Sequence, residues 1–138
     1  TGNSVSNHAI VLVSGATGFL GAFILAQLVE TLKAQRIIAL VRASSQRTAQ
    51  KRLAETMSFY KLMNEDGVAN SLEVLAIAGI EEEFLGLTPG MYQEVAQGVR
   101  IIYHCAAHVS SGLPYAALRP CNVVGTRRCV ELALRAGA

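Results

Sequence analysis

The sequence predicts a doubly wound, parallel α/β fold, and three features carry that prediction. Four short apolar runs, at 9–14, 36–42, 72–77 and 99–103, alternate with longer segments of helical periodicity. The first run passes into the glycine-rich stretch Ser14-Gly15-Ala16-Thr17-Gly18-Phe19-Leu20-Gly21, which opens directly into an apolar helix. The first two runs are separated by a crossover long enough for the right-handed connection that parallel strands need. The repeated order of strand and helix gives an expected spatial strand order of 3-2-1-4. With 138 residues, 51% of them hydrophobic, the chain can build the buried core of one domain or part of one.

Residues 1–8 are polar and read as a linker or frayed start, which leaves 9–138 as the folded region. The first strand, 9–14, is apolar without alternation, as befits a strand buried on both faces. A helix follows over 19–33, with Leu20, Phe23, Ile24 and Leu28 at core spacing. Arg36-Ile37-Ile38-Ala39-Leu40-Val41-Arg42 is the second strand. The helix over 46–63 sets Ala49, Leu53, Met57 and Tyr60 on one side, and Asn64-Glu65-Asp66-Gly67 reads as its end. After the third strand, Glu81-Glu82-Glu83 and Gly86 form a loop; Thr88 then caps a short helix that has Pro89 at its first position and stops at Gly98. The fourth strand leads through Ser110, Ser111 and Gly112 to a last helix over 121–135, with Pro120 opposing an earlier start. A fourth strand without a successor would leave one sheet edge unpaired, so the chain is expected to be one part of a longer enzyme.

Twelve Lys and Arg against ten Asp and Glu give a net charge of only +2, and four Tyr, four Phe and no Trp offer no stacking platform for nucleic acid. A nucleic-acid partner is therefore not expected. The uncharged run 9–29 is interrupted by Ser14, Thr17, three glycines and Gln27, which fits a strand-to-helix turn better than a membrane span. Cys105, Cys121 and Cys129 are odd in number and irregularly spaced, so neither a metal pattern nor a disulfide framework follows, and a reducing cytoplasm is the expected compartment.

The glycine stretch has the mechanics of a dinucleotide pyrophosphate site. Gly15 lets the chain turn out of the strand, Gly18 lets backbone approach phosphate, and Gly21 allows close packing of the helix; the helix N-terminus supplies free N–H groups. The spacing G-x-x-G-x-x-G points toward the nucleotide loop of short-chain dehydrogenases, and Thr17 adds a hydroxyl. At the end of the second strand, where an acidic residue would bind the ribose 2′-OH of NAD, stands Arg42. A guanidinium suits a 2′-phosphate, so NADP(H) is the expected cofactor. Arg47, Lys51 and Arg52 cluster on the next helix. His104-Cys105-Ala106-Ala107-His108 follows the fourth strand and borders the expected crevice, where the two small alanines allow close approach. No nearby carboxylate supports a metal or acid–base role for the two histidines, and Cys105 reads as a small buried hydrophobe.

The stretches IVLVSGATGFLGAFILAQL, IIALVRAS, GLT and IIYHCAAHVSSGLPYAALRPCNVVGT resemble the NADPH-dependent thioester reductase domains of nonribosomal-peptide-synthetase-like enzymes, aminoadipate reductases and carboxylic acid reductases. These belong to the extended short-chain dehydrogenase/reductase group, with a Rossmann-type sheet, and the likeness covers nearly all of 9–136. It implies that Gly15, Ala16, Thr17, Gly18, Phe19, Leu20 and Gly21 hold the pyrophosphate, that Arg42 and Arg52 hold the 2′-phosphate, and that Ala106 and Ala107 flank the adenosine and nicotinamide halves. Asn122 matches the asparagine of the family's NVxGT element and is expected to brace a loop. Where the family has Gly-Asp touching adenine, this chain has Gly79-Ile80, which substitutes an apolar contact. Where it often has Val-Asn, this chain has Val109-Ser110.

The resemblance further implies hydride transfer that releases an acyl thioester, held on the phosphopantetheine arm of a carrier protein within a larger multidomain enzyme, as aldehyde or alcohol. Such reductases protonate the nascent oxyanion with a Tyr-x-x-x-Lys pair. Four residues after Tyr60, Tyr92, Tyr103 and Tyr115 stand Asn64, Ala96, Ala107 and Arg119, so no such pair exists in this chain. No catalytic residue is assigned, and the isolated chain is expected to be inactive. The alternatives are a non-catalytic NADP-sensing module and a flavodoxin-like scaffold with purely structural glycines.

Overall fold

The computed structural model describes residues 9–32 and 36–138. Strands β1 (Ile10–Ser14), β2 (Arg36–Arg42), β3 (Glu73–Ile77) and β4 (Val99–His104) form one sheet in the order β3-β2-β1-β4, every neighbouring pair parallel. Rossmann-type topology and strand order thus agree with the sequence reading. The expected linker, 1–8, lies outside the described residues.

Because successive side chains of a strand point to opposite faces, β1 sends Ile10 and Leu12 one way and Val11 and Val13 the other. Ile10 and Leu12 join Ile38, Leu40, Leu75 and Ile77 under helices α4 (Pro89–Gly98) and α6 (Thr126–Ala136). Val11 and Val13 join Ile37, Ala39 and Val41 under α1 (Phe19–Thr31), α2 (Gln46–Phe59) and α3 (Glu65–Ser71). Two faces buried against helices explain why the central strands are apolar runs. Opposite β4 the register skips Arg100, since Ile10 pairs with Val99 and Val11 with Ile101. This bulge leaves Arg100 exposed at the sheet's margin.

The outer strand β3 carries polar fittings on both sides. Arg36 at the start of β2 grips Glu73 of β3 through two bonds of 2.8 and 3.0 Å and reaches Glu94 of α4 at 3.0 Å. On the far side of β3 the Gln46 side chain behaves as a short length of neighbouring strand: Nε2 donates to the Val74 carbonyl, and Oε1 accepts from the Ala76 N–H at 3.0 Å.

Three local expectations are corrected. In α1 the buried face is Gly21, Ala22, Leu25 and Leu28, whereas Leu20 and Phe23 are exposed. An almost wholly apolar helix gives periodicity little to discriminate, and close packing at the glycine turn decides its rotation. The helix over 46–63 ends at Phe59; Asn64-Glu65-Asp66-Gly67 starts α3 instead, with the Asn64 side chain accepting from the Gly67 N–H at 2.7 Å. Asn is as good an N-cap as a helix end. The last helix starts at Tyr115, not at 121: α5 (Tyr115–Arg119) runs through a π-type turn (Pro120–Gly125) into α6. Helical backbone persists at Arg119, Pro120 and Thr126, and the wider turn absorbs the proline that would break a regular helix.

Candidate functional site

The C-terminal ends of β1, β2 and β4 meet a cleft of about 450 Å³, in the position where an open parallel sheet binds ligands. Its lining brings together Gly15, Thr17, Gly18, Arg42, Arg52, Ile80, Ala106 and Ala107 from segments far apart in sequence. Of the other predicted site residues, Ala16, Gly21 and Gly79 are buried just behind the lining, while the Phe19 and Leu20 side chains stand 67% and 61% exposed on α1. These two residues can serve an anion only through their backbone. A larger groove of about 1130 Å³, between α2, α3 and the start of β3, includes none of the glycine turn.

Two glycines are required by geometry. Gly15 has φ +69°, and a Cβ there would fall 2.5 Å from the Ala106 nitrogen; a Cβ on Gly21 would fall 2.1 Å from the Gly15 carbonyl oxygen. The turn is closed by the Gly18 N–H donating to that oxygen at 3.0 Å. Gly18 N-caps α1 without any side-chain cap, and the first helical bond comes from Ala22, so the N–H groups of Phe19, Leu20 and Gly21 remain free at the positive end of the helix.

Arg42 and Arg52 stand together at one side of the cleft, Arg52 donating to the Arg42 carbonyl. Among the described residues neither guanidinium is in an ion pair. Two unpaired cations beside a bare helix N-terminus and a cradle that a Cβ would fill fit a dinucleotide bearing several phosphates. The lining also includes Ile80, whose side chain is seated against Gly125, and Glu81, whose carboxylate folds back over Gly79.

The segment after β4 forms another wall. Asn122 braces it with two bonds, Oδ1 accepting from the His108 N–H at 2.7 Å and Nδ2 donating to the His108 carbonyl at 3.0 Å. Cys105 is half-buried and lines the cleft with Cys121; burial pushes both thiols up, with the charge of Glu81 adding to the effect at Cys121. Burial pushes the Cys129 thiol up to about 12. No cluster of three or more potential metal ligands occurs among the described residues. Sequence reasoning missed Ala117, Pro120 and Cys121 as lining because it began the last helix too late; the helix-forming run Tyr-Ala-Ala-Leu-Arg after Pro114 was the available signal. It also missed Ser14 and Thr126 as partners of His104, whose meeting depends on tertiary structure.

The NAD-binding family model described as "Male sterility protein" matches residues 13–138. The chain belongs to that family. It is 40% identical over 140 residues to the glycine betaine reductase ATRR of Emericella nidulans, covering 98% of this chain and 11% of that protein. It is 37% identical over 124 residues to the non-canonical nonribosomal peptide synthetase FrzA of a Cladobotryum species, covering 89% of this chain and 12% of that one. The terminal R domain from the myxalamid PKS-NRPS biosynthetic pathway superposes with a TM-score of 0.84 at 34% identity, over 93% of this chain and 32% of the domain. The family member thus matches part of a reductase domain of the nonribosomal-peptide-synthetase type, and spans about a third of that solved domain. No described helix is long and apolar enough to cross a membrane.

Proposed function

We propose that this family member holds NADPH for a reductase that releases a carrier-protein-bound acyl thioester as aldehyde or alcohol. The observation that carries the cofactor choice is the pair of unpaired guanidiniums, Arg42 and Arg52, beside the glycine turn. A 2′-phosphate satisfies both through charge-assisted bonds, whereas the 2′-hydroxyl of NADH offers neither guanidinium a counter-charge. The free N–H groups of Phe19, Leu20 and Gly21 serve the pyrophosphate, and Ile80, Ala106 and Ala107, with Gly79 behind Ile80, bound the space for the two nucleoside halves.

When bound, the nicotinamide supplies a hydride. The chain's own part is to bind and orient the donor and to exclude water from one side of it. The acyl substrate arrives on the phosphopantetheine arm of a carrier protein belonging to the same multidomain enzyme, a reading supported by relatives named as peptide synthetases and their reductase domains. Proton delivery to the oxyanion requires a Tyr-x-x-x-Lys pair that the 138 residues do not contain.

Calorimetry with NADPH and NADH tests the reading. NADPH should bind the tighter, and Arg42→Ala should weaken NADPH by roughly 10- to 100-fold with little change for NADH, the cost of one charge-assisted contact. Adding an acyl thioester to the NADPH-loaded chain should give no loss of nicotinamide absorbance. Equal affinity for both nucleotides would refute the 2′-phosphate assignment; turnover by the chain alone would refute the placement of the proton donor elsewhere.

A further inference from the structure

His104, at the end of β4, joins three elements that the cofactor reading leaves unconnected. Its Nδ1 lies 2.7 Å from Ser14 Oγ of β1 and 3.4 Å from Cys129 Sγ of α6, and its Nε2 lies 2.9 Å from Thr126 Oγ1. Ser14 is fully buried and is the sole buried polar residue of the core among the described residues.

Counting protons fixes the state of the ring. The Thr126 hydroxyl has one proton and donates it to the Asn122 carbonyl at 2.7 Å, an oxygen that can only accept. Toward His104 that hydroxyl therefore accepts, and Nε2 must carry hydrogen. In the neutral ring Nδ1 is then an acceptor, which gives the buried Ser14 proton its partner. Ser14 Oγ in turn accepts from the Ala106 N–H at 3.4 Å, and the Ser14 carbonyl accepts from the Cys105 N–H at 3.2 Å. The opposite tautomer would leave the Ser14 proton buried without an acceptor.

The chain of bonds has a consequence for the cleft. The wall 105–108 is clamped at its start by Ser14 and at its end by Asn122, and Ser14–His104–Thr126–Asn122 is a continuous tie between the two clamps. We propose that His104 is a positioning residue: as the neutral, Nε2-protonated ring it joins the two clamps into one unit and so sets the wall against which the dinucleotide rests.

The groups that face the ring are Ser14 from β1 and Thr126 and Cys129 from α6; burial alone depresses its basicity, with no neighbouring carboxylate or cation contributing. Protonation would put a donor on Nδ1 against Ser14 and break the direction of the chain. The wall should therefore loosen as pH falls through the ring's lowered titration range.

The proposal rests on the cofactor reading for its purpose, but its tests separate from that reading. Imidazole ¹⁵N spectra of the nucleotide-free protein should show an Nε2–H ring for His104 at neutral pH; an Nδ1–H ring overturns the proposal without any variant. Amide exchange at Ala106 and His108 reads the two clamps. In Thr126→Val both amides should exchange about fivefold faster, NADPH should bind about fivefold more weakly, and Thr126→Ser should restore both. Unchanged exchange at both amides in a folded Thr126→Val protein overturns the tie. Failure of the unaltered chain to bind NADPH would instead count against the cofactor reading, since the ring and exchange measurements need no nucleotide.

Discussion

At the scale of single residues, the site depends on a few atoms that leave no room for substitution. Gly15 combines a left-handed backbone with a Cβ direction that runs into the Ala106 nitrogen. Gly15→Ala should lower stability by about 2 kcal/mol or more and abolish nucleotide binding, as read by urea unfolding and calorimetry. His104 carries a different kind of dependence. Its folded-state pKa lies below the ordinary 6.5 because burial disfavours the cation. The unfolded chain then binds a proton before the folded one does, so this contribution to stability is present above 6.5 and is lost as pH falls from there through the lowered value. The urea midpoint should decline over that window, and His104→Asn should flatten the decline. Phe19 and Leu20 illustrate the opposite situation: with their side chains exposed, they enter the proposed anion site through backbone N–H groups alone.

At the scale of elements, the sequence was legible wherever local chemistry and periodicity agreed. The β2 limits, Arg36 to Arg42, the Thr88–Pro89 start of α4 and the Gly98 stop match the sequence reading. So does the buried stripe Ala49, Leu53 and Met57 of α2, because its polar face gives the period contrast. Legibility failed where a local signal pointed two ways: Asn64 caps rather than terminates, and Pro120 sits inside a helical run. At the candidate site, the glycine turn and Arg42, which the structure brings to one cleft, were picked out because each uses a local spacing. The His104 tie could not, because its partners lie 90 and 22 residues away. The π-type turn also has a packing role. It brings Gly125 against Ile80 so closely that a Cβ would lie 2.5 Å from Ile80 Cγ2. Gly125→Ala should destabilise by about 1–3 kcal/mol through overpacking, and adding Ile80→Ala should recover part of that loss in a double-mutant cycle followed by urea unfolding.

At the scale of the whole molecule, the cleft exists because two layers of helices fix a four-stranded sheet while the loops at one end of it stay free to gather. The wall residues Ala106 and Ala107 sit after β4, an outer strand bordered, among the described residues, by β1 alone, and Ile101 on it is 47% exposed. The other outer strand is treated differently. Removing the Gln46 side chain would uncover the Val74 carbonyl and the Ala76 N–H at once. Gln46→Ala should therefore cost about 1–2 kcal/mol in urea unfolding and give concentration-dependent self-association in sedimentation, with NADPH affinity little changed. That glutamine also gives the sheet a direction of growth. With part of the β3 margin already engaged by a side-chain amide, a strand from any source that joins this sheet beside β4 would meet the Arg100 bulge at its start and come to lie, further along, next to the wall of the cleft.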